Sequence, residues 1–166
     1  MFVNPSDILK YGHRHILRTL DGLDFDYWEI GGVCGVWSVK DIMAHLASYE
    51  HMLAEVLSPF AGVKQVDTPY LTQMGELDPD SFNNAQVGAR RGLSPADVLA
   101  EYNQTFSRVA DLAVKIPPEV WRQTGALPWY GPEYDLDDFI VYTFYGHKRE
   151  HGAQISVFRD TLKGQQ

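Results

Sequence analysis

The sequence is poor in cysteine, in long apolar runs and in clustered basic residues, and each shortage excludes a class of protein. A single cysteine, Cys34, cannot form an internal disulfide, and it suits a reducing compartment. The longest apolar run, residues 139–145, is far too short to span a bilayer. The N-terminal stretch contains no apolar segment suited to a signal peptide. We therefore expect a cytoplasmic protein.

Acidic residues also outnumber basic ones, which gives a formal net charge of −8 at pH 7. Nucleic-acid binders usually carry a basic stripe that displaces counterions from phosphates. Short doublets such as Arg90-Arg91 are instead typical of a solvated surface. The acidic balance argues equally against anionic membrane surfaces. We expect a small-molecule substrate or a protein partner, no nucleic acid and no membrane.

No internal repeat and no low-complexity tract is present, and 166 residues with a hydrophobic fraction of 45% suffice for a buried core. We predict one domain over residues 1–166. Four long segments have helical periodicity, separated by stretches rich in glycine, proline and turn residues. Their predicted positions are residues 6–20, residues 39–58, residues 95–116 and a segment that follows Asp135, with a shorter helix near residues 80–90.

The second long segment has the clearest start signal. The Ser38 side chain can cap the free amides of the first turn, and the Asp41 side chain can bond back to the Ser38 amide in a capping-box-like pair. Trp37 and Ile42 flank this start with the spacing of a hydrophobic staple. No alternating strand pair is visible, so the sequence predicts an all-α four-helix bundle. Residues 59–93 and 117–135 form its long crossover connections.

Two histidines in the last helical segment have a spacing that suits a metal site. His147 and His151 lie four residues apart, on adjacent turns of one helix face, where two imidazoles can converge on one ion. Apolar residues such as Phe144 share this face, which indicates that it points inward. The alternative is a pair of partly buried histidines that bond to neighbouring side chains.

His45 is the candidate third ligand, because it lies at the edge of the apolar stripe of the second helix. A lone histidine in such a position is more often a satisfied core or boundary residue. His51 is six residues further along and should face away from His45, since six residues rotate about 240° around a helix. We interpret His13 and His15 as surface or boundary residues.

Other catalytic patterns fit the sequence less well. Residues 147–151 match H-x-x-E-H, the inverted zinc-peptidase signature, but too little chain follows for a downstream glutamate ligand. Glu150 is more readily a surface carboxylate or one beside the site than a general base. A di-iron site requires paired Glu-x-x-His motifs, which are absent here. Cys34 has no motif partner, which argues against a catalytic thiol.

Two segments resemble a known family. Residues 37–46, WSVKDIMAHL, look like the opening of the second helix in the DinB/YfiT-like superfamily, and residues 147–155 resemble its last-helix motif. The pairs at residues 82–83 and 93–94 are similar to those in the ClbS/DfsB-type subgroup. Together these motifs cover the second to the fourth long helix.

The resemblance implies an up-down-down-up bundle, frequently dimeric, with His45, His147 and His151 on a divalent ion such as nickel or zinc. Such an ion could activate water or bind the thiolate of a low-molecular-weight thiol cosubstrate. Relatives include thiol-dependent S-transferases, thiol-dependent isomerases and a hydrolase. We therefore expect a metal-dependent hydrolase or thiol S-transferase acting on a small molecule. The alternative is a non-catalytic metal-binding or stress-response module.

An aromatic loop before the last helix offers a candidate substrate contact. Trp129 and Tyr130 stand between Pro128 and Gly131-Pro132, which should make the loop stiff. These aromatics either plug one end of the bundle or line the mouth of the metal pocket. In the second case the loop must fold back along the bundle, since His147 lies about three helical turns beyond Asp135.

Overall fold

The computed structural model describes residues 4–165, and its regular structure is helical. Four long helices form the body: α1 (Pro5–Leu20), α2 (Val39–Phe60), α5 (Pro95–Ala113) and α8 (Gly146–Lys163). Four shorter helices lie in the connections: α3 (Pro69–Glu76), α4 (Pro79–Ala89), α6 (Pro118–Trp121) and α7 (Leu136–Phe139). The all-α prediction is confirmed. Within residues 4–165 no helix combines the length and apolar character needed to cross a membrane.

Helix α2 is the central element of the bundle. It packs along α5, while α1 packs along α8, and α3 and α4 cover the remaining side of α2. Most α2 side chains are consequently buried, including polar ones such as His45 and Glu50. On a helix that is buried on nearly all sides, each polar group is costly to bury unless it has a partner.

The start of α2 matches its sequence signal. The Ser38 hydroxyl accepts a hydrogen bond from the Asp41 amide at 3.1 Å, and the Asp41 carboxylate accepts one from the Ser38 amide at 3.0 Å. The helix passes through Pro59 and ends at Phe60, slightly beyond the predicted stop. Proline removes one N–H, but the Ala61 amide still donates to the Leu57 carbonyl at 3.0 Å, so the last turn is retained.

The connection after α2 contains two helices where the sequence predicts one. Helix α4 is the predicted helix near residues 80–90, whereas α3 was not predicted. The residue before α3, Thr68, provides no side-chain cap. Instead the Glu55 carboxylate of α2 accepts hydrogen bonds from the amides of Tyr70 and Leu71 at 3.0 and 2.9 Å. This cap comes from another helix, so local sequence cannot reveal it.

The fourth predicted segment starts where expected but is not one regular helix. Asp135 and Asp138 form a capping box at the start of α7. A π-helical stretch, Ile140–Tyr145, then follows and leads directly into α8. Wider turns of this kind occur frequently at functional sites, and this one ends two residues before His147.

Two glycines allow α1 and α8 to approach closely. A Cβ atom added at Gly152 would lie 2.8 Å from Cδ2 of the His15 ring, closer than ordinary van der Waals contact. A Cβ atom at Gly12 would lie 3.3 Å from Cδ of Lys148. The close approach of α1 to α8 therefore depends on small residues on both helices.

Gly152→Ala should therefore destabilise the protein, although alanine is intrinsically the better helix former. We expect a loss of about 1 kcal/mol, because the His15 ring must move away from the new methyl group. Gly88→Ala is the matched control, since a Cβ there meets nothing within 4 Å. It should stabilise the protein by about 0.5–1 kcal/mol. Urea denaturation of both variants tests this, and equal shifts of the same sign would contradict the packing argument.

Candidate metal centre

The three histidines singled out by the sequence meet at one point between α2 and α8. The Nε2 atom of His147 lies 2.9 Å from Nε2 of His45 and 2.9 Å from Nε2 of His151. One ligand atom from each residue lies within 4.8 Å of the other two. No other group of three potential ligands meets this criterion within residues 4–165.

Neighbouring side chains fix the orientation of the imidazole rings. Gln154, one turn beyond His151, places its Oε1 atom 2.8 Å from His151 Nδ1. This contact favours a proton on Nδ1 and leaves Nε2 with a free lone pair. The rings of Trp37 and Tyr49 flank His45, with ring centroids 5.0 and 4.7 Å away.

Burial keeps the three imidazoles neutral. Desolvation, together with the neighbouring imidazoles, lowers the pKa of His45 to about 2. Desolvation, followed by the charges of His151 and Lys148, lowers the pKa of His147 to about 4. The pKa of His151 is also lowered by burial, although Gln154 and Glu150 oppose the shift. At pH 7 all three rings are therefore neutral, as metal ligation requires.

Proton bookkeeping supports a cation at this point. If His151 is protonated on Nδ1, its Nε2 atom can only accept, so His147 Nε2 must carry the proton that lies between them. That single proton then also faces His45 Nε2, at the same distance of 2.9 Å. His45 Nδ1 is buried without a hydrogen-bond partner. If His45 is protonated on Nδ1, the three Nε2 atoms share one proton, whereas a cation would use all three lone pairs.

The donor set fits a divalent transition metal. Imidazole nitrogens suit zinc, nickel, copper and iron, whereas magnesium and calcium require oxygen ligands. In a tetrahedral zinc site, nitrogens about 2.0–2.1 Å from the ion lie about 3.3 Å apart. Two of the three separations here are 2.9 Å, so a small outward shift of the rings would admit such an ion. Three protein ligands leave at least one coordination position for another molecule, as in catalytic zinc sites.

An open cleft leads to this centre on the His147 side. Its volume is about 330 Å³, and its lining residues are Tyr49, Tyr142, Thr143, Gly146, His147 and Glu150. The π-helical stretch and the first turns of α8 therefore form one wall. Tyr49 was not predicted as a site residue, because in the sequence it belongs to the apolar stripe of the second helix. It follows His45 by four residues, and this spacing could have indicated that the two side chains share a face.

The aromatic loop lies against α7 rather than in the cleft wall. Trp129 is 59% exposed, and its ring contacts Tyr130 and Phe139 with centroids 6.3 and 5.7 Å away. The Thr143 hydroxyl, which lines the cleft, lies 3.4 Å from the Tyr130 hydroxyl and can donate to it. Tyr130 thus contacts a residue that lines the cleft but is not itself among the lining residues. The role of Trp129 and Tyr130 in substrate binding stays a prediction.

The other histidines of the long helices have separate partners. His51 Nε2 lies 2.9 Å from the Glu101 carboxylate, and its ring stacks on Tyr70. His13 stacks on Phe106 with ring centroids 3.8 Å apart, and burial lowers its pKa to about 4. His15 lies beside Gly152. His13 and His15 are half-buried, as the boundary interpretation predicts.

Comparison with known families agrees with this architecture. The profile of the mycothiol maleylpyruvate isomerase N-terminal domain matches residues 9–137. The chain belongs to this family. It is a family of the DinB/YfiT-like superfamily, as the sequence motifs indicate. The match includes His45 but ends before His147 and His151, so the geometry of α8, not the family match, associates these two histidines with His45.

A solved structure shares the fold. The crystal structure of a Streptococcus pneumoniae protein, a target of the Northeast Structural Genomics Consortium, superposes with a TM-score of 0.74 at 11% sequence identity. The alignment covers 96% of this chain and 92% of that one. At this identity the similarity concerns the fold alone. No curated protein matches the sequence.

The lowered histidine pKa values predict how stability changes with pH. Below pH 6.5 these histidines are protonated in the unfolded chain but stay neutral in the folded one. The free energy of unfolding therefore falls as the pH falls. Each such histidine contributes a slope of up to about 1.4 kcal/mol per pH unit. His45→Asn should therefore reduce the slope between pH 6.5 and pH 5. Urea denaturation of the metal-free protein measures it, and parallel wild-type and variant curves would contradict the prediction.

Proposed function

We propose that this protein is a divalent-metal-dependent enzyme that uses a low-molecular-weight thiol to transform a small electrophilic molecule. The observation that carries the proposal is the convergence of three buried, neutral imidazoles beside an open cleft. Structural metal sites usually present four protein ligands, whereas catalytic ones retain an open position. The cleft beside His147 therefore favours catalysis over the non-catalytic binding module.

The family supports the thiol part of the proposal. Its name records an isomerase that works with mycothiol, a low-molecular-weight thiol. Between the two activities expected from the sequence, thiol-dependent chemistry is thus favoured over simple hydrolysis. A zinc or nickel ion, both of which accept imidazole and thiolate ligands, supplies Lewis acidity at such a site.

The side chains of the cleft have complementary tasks. His45, His147 and His151 would hold the ion, and Gln154 would keep His151 in the tautomer that presents Nε2. Burial raises the pKa of Tyr49, so its hydroxyl stays protonated and can donate a hydrogen bond. At present that hydroxyl lies 3.4 Å from Asn83 Oδ1. Glu150, exposed at the cleft, can accept a proton from an incoming thiol.

Two further expectations belong to the same proposal. A cytoplasmic location would supply the reduced thiol, and the ClbS/DfsB-type similarity would place the chain among small-molecule-processing relatives. The homodimer expected from the resemblance also stays a prediction. None of these is required for the three-histidine centre, because all its ligands come from one chain.

Metal titration tests the first half of the proposal. Isothermal titration of metal-free protein with Zn²⁺ or Ni²⁺ should show one ion per chain. His147→Ala should weaken binding by more than the roughly 10–100-fold that loss of an outer hydrogen-bond partner costs. His51→Ala is the matched control, since His51 lies on α2 but bonds to Glu101. Equal affinities of the two variants would contradict the assigned ligands.

A spectroscopic titration tests the thiol half. Protein loaded with Co²⁺ should develop a sulfur-to-cobalt charge-transfer absorption when a low-molecular-weight thiol is added at neutral pH. The His147→Ala variant, at the same cobalt concentration, should lack it. Cobalt binding without any response to thiols would leave the metal centre in place and refute the thiol cosubstrate.

A further inference from the structure

An ion pair between α2 and α8 is the most deeply buried charged group in the described part of the chain. The Glu50 carboxylate contacts the Lys148 ammonium, and the two residues are 0% and 2% exposed. Each is the direct sequence neighbour of a residue at the metal centre: Glu50 follows Tyr49, and Lys148 follows His147. No sequence pattern singles out either residue.

Stability alone is a weak explanation for this pair. Removing two charges from water carries a large desolvation penalty, and their attraction only roughly offsets that penalty. Apolar residues of similar volume often serve a core equally well or better. A buried pair at this place is therefore better explained by a structural arrangement that it determines than by the stability that it adds.

What it can specify is the relative position of α2 and α8. The backbone of α2 packs mainly along α5 and that of α8 along α1, so the two ligand-bearing helices have little direct backbone contact. Among the described residues, two polar side-chain links join α2 to α8: the contact of His45 with His147, and Glu50 with Lys148. The second link is present whether or not a cation binds the first.

The other two long helices fix the Lys148 side chain. Its ammonium lies 5.4 Å from the ring centroids of both Tyr102 and Phe106 on α5. Its aliphatic stem passes Gly12 of α1, where a Cβ atom would lie 3.3 Å from Cδ. Lys148 therefore contacts α1, α2 and α5 at once, and its position is determined by the whole bundle.

We infer that Glu50 and Lys148 are positioning residues that hold His45 opposite His147 and His151, so that the three imidazoles are aligned before an ion arrives. This inference rests on the proposed metal-dependent function. The pair acts through helix placement, since neither charged group is among the potential metal ligands. It predicts that loss of the pair weakens metal binding without unfolding the protein.

The test is the double variant Glu50→Met/Lys148→Met, titrated with Zn²⁺. Single substitutions would leave one unpaired buried charge, so both residues are changed together. We expect an unchanged or higher Tm and a Zn²⁺ affinity about 10–100-fold lower than that of the wild type, the range for lost ligand support. Unchanged affinity in the folded variant would overturn the inference.

A second ion pair gives the matched control. The Arg90 guanidinium contacts the Glu101 carboxylate at 2.8 Å, also in a largely buried setting, but this pair joins the end of α4 to α5, with His51 of α2 on the same carboxylate. Arg90→Met/Glu101→Gln should change Tm and leave Zn²⁺ affinity at the wild-type value. An equal loss of affinity in both double variants would show general loosening of the bundle and would also overturn the inference.

A metal-free measurement separates this inference from the proposed function. In the wild type, nuclear Overhauser contacts between the His45 and His147 rings are expected without any ion, and the double-methionine variant should lose them. Retained contacts in the variant would refute the positioning role, whether or not the wild type binds Zn²⁺. Failure of the wild type to bind Zn²⁺ would by itself refute only the proposed function. If the methionine variant does not fold, Glu50→Gln/Lys148→Gln replaces it, with the same expected losses.

Discussion

Everything at the candidate site depends on holding buried polar groups from α2 and α8 against each other. A buried imidazole or charge is tolerated when a partner lies within hydrogen-bonding reach, and here each helix supplies the partners of the other. The surrounding features serve this requirement. Gly152 allows α1 to approach α8, and α5 places aromatic rings around Lys148. The cap from Glu55 anchors α3 on α2, which helps to cover this central helix.

Local signals made much of this architecture predictable from the sequence. The helix starts predicted at residue 39, at residue 95 and after Asp135 depend on residues close together in the sequence, and all three are found in the structure. The spacing of four between His147 and His151 is also local, because a helix places such residues on one face. That His45 could face them was suggested by its place at the edge of the apolar stripe and by the family resemblance, since nothing local reports the distance between two helices.

The features that the sequence did not reveal are set by contacts between distant segments. Helix α3 is capped by Glu55 from another helix, and the π-helical stretch Ile140–Tyr145 interrupts a segment whose periodicity reads as regular helix. The Glu50–Lys148 pair is invisible for a related reason. Lysine and glutamate are almost never fully buried, so a sequence containing them predicts surface positions. Tertiary packing decides otherwise, and it does so beside the candidate metal ligands.

The same burial links folding to metal binding. Keeping imidazoles neutral and desolvated costs stability, and the Nε2 atoms of His45 and His151 both pair with the same atom, His147 Nε2. A ligand that binds the folded chain alone stabilises it by RT ln(1 + [L]/Kd), which is about 2.7 kcal/mol at 100 times Kd. A cation that binds the three histidines would therefore offset the desolvation cost that the metal-free fold carries. A bound ion supplies a partner where water cannot reach, so the position of the histidines in the core favours a metal site.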